Sequence, residues 1–160
     1  MKSVIVFYSY SGNTYAVAKI LAEYLEKNSE VELRKLVAKD EAQTFLGQCK
    51  RAFFKKKALL AQVSFDLSKA DIFCLGTPVW AFGPAPAINA FIEQCSEIKE
   101  TTMVVLFTTY GSGAGNERCL NIMQDSLRKK GAKNFKRFSI QEAKVKDKEF
   151  VLSQIKRVLE

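Results

Sequence analysis

The residues best suited to chemistry by type and spacing lie near the amino terminus. Ser9, Ser11, Gly12, Asn13 and Thr14 follow the unbroken apolar run Val4–Tyr8. Directly after them, Val17, Ile20, Leu21, Tyr24 and Leu25 recur at helical spacing. The chain therefore reads strand, tight turn, helix start. The first amides of a helix lack internal partners, and its dipole leaves partial positive charge there. Such a turn suits an anion, above all a phosphate. The hydroxyls of Ser9, Ser11 and Thr14 add donors, and Gly12 permits close approach and a positive φ. No Lys or Arg stands in the turn. A phosphate here would be held by hydrogen bonds and dipole alone.

Two later stretches carry unusual residues after apolar runs. In the first, Pro78, Val79, Trp80, Ala81 and Phe82 lie in the segment Val79–Pro86 and its lead-in, which its glycine and prolines mark as a loop. It holds the chain's only tryptophan. In the second, Thr109 and Tyr110 lead into the glycine turn Gly111–Gly115. A flat conjugated ring would stack between Trp80 and Tyr110, with the amides of Gly111 to Gly113 on its carbonyls. Residues 76–84 and 108–115 contain no Asp or Glu. The phosphate-loop pattern G-x-x-x-x-G-K-[ST] is absent, and G-x-G-x-x-G fails at Asn116.

The elements that must position these stretches follow from periodicity. Strands are predicted at 3–9, 31–37, 72–75, 102–107 and 132–140. The second alternates apolar and charged residues, as an edge strand does. Helices are predicted at 14–27, from Asp40 with an inward stripe of Ala42, Phe45, Leu46, Cys49 and Phe53, at 87–98, from a cap at Asn116 to a stop at Gly131, and at 147–159. Residues 58–69 read as a loop. Strand–helix alternation five times over predicts an α/β fold: a parallel sheet with helices on both faces, in one domain spanning residues 1–160. In such sheets ligands bind beyond the carboxyl ends of the strands. All three stretches must then share one edge.

Composition narrows the chemistry. The 160 residues are 48% hydrophobic and hold no histidine. The commonest metal ligand and general base are thus missing, and no metal site is expected. Cys49, Cys74, Cys95 and Cys119 form no C-x-x-C pair, which reads as thiols in a reducing compartment. No apolar run is long enough to span a bilayer, and no signal peptide is evident. The expected location is cytoplasmic. The net charge of +8 gathers in two clusters, Lys50–Lys57 and Arg128–Arg137. Solvated helix faces explain such runs better than nucleic acid does, and an acidic protein partner fits them too.

The motifs YSYSGNT, GTPVWAFGPAP and TTYGSGAGN, in that order, resemble those of the flavodoxin-like family. The likeness follows element order over nearly the whole chain. It implies a five-stranded sheet of order 2-1-3-4-5 with FMN at the switch point. Phosphate would be held by Ser9, Ser11, Gly12, Asn13 and Thr14. The flavin would be flanked by Pro78, Val79, Trp80, Ala81 and Phe82 on one side. On the other would stand Thr109, Tyr110, Gly111 and Gly113. The implied activity is electron transfer between redox partner proteins. Carriers of this family are usually acidic, so the basic charge here points to acidic partners. The alternatives are an NAD(P)H-dependent FMN or quinone reductase and a flavin-free module that binds nucleotide or protein.

Overall fold

The computed structural model of the protein describes residues 1–39, 60 and 63–160. The helix expected from Asp40, Cys49 and the first basic cluster lie outside the described residues. Strand β1 is Lys2–Phe7, followed by helix α1 at Asn13–Leu25 and strand β2 at Glu30–Lys35. Strand β3 runs Ile72–Trp80 and turns back into the two-residue β4, Gly83–Pro84. Helix α2 is Pro86–Gln94, β5 is Met103–Tyr110, α3 is Asn116–Arg128, β6 is Asn134–Gln141, and α4 is Lys148–Leu159.

The sheet order is β2-β1-β3-β5-β6, all parallel, with β4 paired antiparallel to β3. With β4 set aside, the five long strands stand in the expected order 2-1-3-4-5. The sixth strand was not expected. β2 and β3 flank β1, so the strand order reverses there, and ligands of such sheets bind at this place.

Alternation along each strand divides the core in two. Ile5, Phe7, Cys74, Val105, Phe107 and Ile140 face α1 and α4, where Val17, Leu21, Val151 and Ile155 cover them. Val4, Val6, Tyr8, Phe73, Leu75 and Leu106 face the other way, against Ile88 and Phe91 of α2 and Leu120 and Met123 of α3. Among the described residues, no helix is long and apolar enough to cross a membrane.

Several boundaries differ from expectation. The third strand does not stop at Leu75. Gly76 sits inside β3 because the ring of Phe107 lies where a side chain would stand, 2.0 Å from an added Cβ. α2 starts at Pro86 and ends at Gln94 rather than running to Ile98, since Cys95 turns to extended backbone. The Lys130 ammonium closes that end, donating to the carbonyls of Glu93 at 2.9 Å and Cys95 at 3.1 Å. Gly131 stops α3 as expected, at φ 99°, with Ile98 O too close to admit a side chain. The second basic cluster is largely occupied in such contacts. Arg128 pairs with Asp125, Lys133 with Glu100 and Arg137 with Glu117.

At the β2 edge, Arg34 holds Glu32 at 2.7 Å and donates to the carbonyls of Ser64 and Asp66. The Arg34 hydrogen bond, opposed by partial burial and helped by the charges of Arg34 and Lys2, holds the Glu32 carboxyl below its ordinary pKa. A lowered folded-state pKa contributes stability that is complete above the unfolded value, about 4.3. The stability gap between wild type and Glu32→Gln is therefore expected to close as pH falls through the lowered value, followed by urea unfolding across that range. Gly76→Ala forces Phe107 aside and is expected to cost about 1–3 kcal/mol of unfolding free energy. Calorimetry or urea titration measures it.

Candidate functional site

The carboxyl ends of β1, β3 and β5 meet at one edge, and specific contacts join the three segments that leave them. Helix α1 begins at Gly12, whose φ of 94° is left-handed. A glycine cap offers no side chain to the first-turn amides. Ser9 takes part of that role instead: its Oγ accepts the Tyr15 amide at 3.2 Å. Helix α3 starts the same way. Gly115, at φ 88°, occupies the cap position, and Asn116 is the first helical residue rather than the cap. Two helix starts built on left-handed glycine, each followed by Asn, thus flank the edge.

The first and third segments are joined by a buried hydrogen bond between Thr14 Oγ1 and Thr109 Oγ1, 2.8 Å long. One hydroxyl donates to the other, so the acceptor's own proton is unspent and available to a ligand. The second and third segments touch directly: the Phe82 ring and Cα lie 2.6 and 2.9 Å from where a Gly115 side chain would start. Only glycine fits there. Thr77, buried, ties the second segment to α2, its Oγ1 donating to Pro78 O and accepting the Ala85 amide.

The second segment is not the expected loop. Val79 and Trp80 are the last residues of β3, and the turn to β4 is Ala81–Phe82. Both turn residues have positive φ, 46° and 63°. A tight hairpin turn whose twist matches the strands requires that geometry, and non-glycine residues adopt it at a cost of about 1–2 kcal/mol each. Because it ends a strand, Trp80 is packed rather than displayed. It is 5% exposed, edge-on to Tyr8 at 5.5 Å and to Tyr10 at 5.8 Å. The expectation that its face lies open to a ring is corrected accordingly. The aromatic surface on this edge comes from Tyr10, Phe82 and the half-buried Tyr110.

Ser11, Ala81, Gly111 and Gly113 are exposed, Asn13 and Val79 half-buried, and Ser9, Thr14, Pro78 and Thr109 buried. Sequence reasoning missed two neighbours, Gln141, the last residue of β6, and Glu142, which follows it. Gln141 Nε2 donates to Gly111 O at 3.3 Å. The Glu142 carboxylate lies 3.7 Å from where a Gly111 side chain would start. Strand order alone places the end of β6 beside that of β5, which was the available signal.

The family model described as NADPH-dependent FMN reductase matches residues 1–145. The chain belongs to the NADPH-dependent FMN reductase family. FMN is its cofactor, as the resemblance implied. The fold is also that of solved flavoproteins. Oxidised flavodoxin 1 from Bacillus cereus has a TM-score of 0.63 at 17% identity, with 100% of each chain covered. A flavoprotein from Lactobacillus acidophilus NCFM in complex with FMN has a TM-score of 0.61 at 16% identity, covering 92% of this chain and 98% of that one. An NADH:FMN oxidoreductase in its apo form has a TM-score of 0.65 at 14% identity, covering 98% and 88%. No curated protein matches the chain in sequence.

The residues present fit FMN. The first segment offers neutral donors and a glycine with nothing within 4 Å of its side-chain position. The Thr14–Thr109 pair, which joins the first and third segments, offers one spare hydroxyl proton. One buried side-chain polar atom among the described residues, the Tyr8 hydroxyl, has no partner.

Thr109→Val leaves Thr14 with an unpaired buried hydroxyl and is expected to cost about 1–3 kcal/mol. The double variant Thr14→Val/Thr109→Val is expected to lose less than the sum of the single changes. A double-mutant unfolding cycle reads the coupling.

Proposed function

We propose that the chain holds FMN across the three segments and passes electrons between protein redox partners. The observation that carries this is the joining of three strand ends into one rim, by the Thr14–Thr109 bond and the Phe82–Gly115 contact. In this reading Ser9, Ser11, Gly12, Asn13 and Thr14 bind the phosphate through neutral donors and the α1 dipole. Pro78 to Phe82 form one flank of the ring system and Thr109, Tyr110, Gly111 and Gly113 the other. Phe82 and Tyr110 supply the stacking surface, and Trp80 supports it from behind. Bound FMN supplies the electron chemistry, and the chain supplies position and field.

The three described cysteines take no part in that chemistry. Burial pushes the Cys74, Cys95 and Cys119 thiols up, and all three are free. Unpaired buried thiols suit the cytoplasm. The net charge of +8 favours acidic partners through steering.

A second reading, an NADPH-dependent reductase, is favoured by the description of the family. The two separate on one measurement. The FMN-loaded carrier is expected to keep its flavin absorbance in anaerobic NADPH until a separate reductase is added. Bleaching by NADPH alone at enzymatic rates replaces the first reading with the second.

Glu142 is a carboxylate next to the third segment, where negative charge would grow as the flavin takes up electrons. Glu142→Gln is expected to tighten binding of reduced FMN about twofold relative to oxidised FMN. The midpoint potential then becomes less negative, and high salt narrows the difference between the variants. Potentiometric titration at two ionic strengths checks this.

A further inference from the structure

Tyr8 directly follows β1 and precedes Ser9. Its amide donates to Gly76 O at 3.1 Å, so the β1–β3 ladder still holds it at the carboxyl edge of the sheet. The side chain is 3% exposed and stands in the α2–α3 half of the core, edge-on to Trp80. Trp80 in turn meets Tyr10 of the first segment. Tyr8, Trp80 and Tyr10 form a continuous aromatic wall from the core to the rim.

The other buried hydroxyls of this edge are all paired. Ser9 accepts the Tyr15 amide, Thr14 meets Thr109, Thr77 binds Pro78 and Ala85, and Thr108 meets Ser139. Among the described residues, Tyr8 alone keeps a buried hydroxyl without a partner. An unpaired buried hydroxyl costs about 1–3 kcal/mol of stability, and a phenylalanine ring would fill the same space without that cost. An unpaired group of this kind in a native fold calls for an explanation, and functional sites are where such departures are expected.

We propose that the Tyr8 hydroxyl is a hydrogen-bond donor to FMN, reaching an acceptor oxygen or nitrogen of its ring system or sugar chain from the inner wall of the site. The inference rests on the FMN reading above. It assigns Tyr8 a binding role and no part in electron transfer. The phenol is neutral and gives one proton; the partner must be an acceptor. The hydroxyl is then unpaired in the FMN-free protein and paired in the loaded one, so its removal acts on the two states in opposite senses.

The test uses Tyr8→Phe in the full chain, with two readouts. Urea unfolding of the FMN-free protein is expected to shift to higher denaturant than wild type. FMN affinity, from quenching of flavin fluorescence, is expected to fall on the order of 5–10-fold. Riboflavin, which lacks the phosphate, is expected to lose affinity by the same factor. Unchanged FMN affinity overturns the proposal. So does lower stability of the FMN-free variant, or its failure to fold, because the hydroxyl is then satisfied within the protein itself. A loss for FMN with none for riboflavin overturns the assignment to ring or sugar. Wild-type protein that binds no FMN removes the FMN reading itself, an outcome distinct from a Tyr8→Phe variant that binds as wild type does.

Discussion

The hydroxyl pair of Thr14 and Thr109 spans 95 residues of sequence inside a buried environment. It exists only because three separate conditions are met. β1 and β5 must flank β3 in parallel register. α1 must begin at once after the first turn, which the left-handed Gly12 allows. β5 must also run far enough to carry Thr109 to the rim. Slipping β5 by one residue would turn Thr109 to the opposite face of the sheet. The site and the sheet register are therefore one constraint.

Around this pair the electrostatics are divided. The rim carries neutral donors and helix starts. In the second basic cluster, much of the positive charge is tied up in pairs with Asp125, Glu100 and Glu117. Lys19 and Lys35 sit over the Tyr15 ring, next to the first segment, at 5.8 and 6.0 Å. They give this side of the rim a positive fringe without entering the turn.

The fold was legible in the sequence because its signals are local. Apolar runs ending in glycine or hydroxyl residues located the strands, and helical spacing located α1, α3 and α4. The strand order followed from the family likeness, and five long strands keep it. Less legible were features decided by tertiary neighbours. Gly76 reads as a terminator, yet β3 continues through it because Phe107 occupies the space a side chain would need. Pro78 falls in β3 beyond its last pairing with β1, and the strand runs on to Trp80 and a hairpin. That extension buries the tryptophan, which glycine and proline content alone suggested was in a loop. Asn116 looked like a cap, but Gly115 takes the left-handed position and leaves Asn116 within the helix. Gln141 and Glu142 carried no motif, and only the adjacency of β5 and β6 brings them to the rim.

Lys130 has a consequence beyond packing. Its amine closes the carboxyl-terminal end of α2 by hydrogen bonds to two main-chain carbonyls. The opposite end of that helix is fastened to Thr77 through the Ala85 amide. Acylation of this one amine would remove the charge and leave a single N–H for the two carbonyls that now take one each.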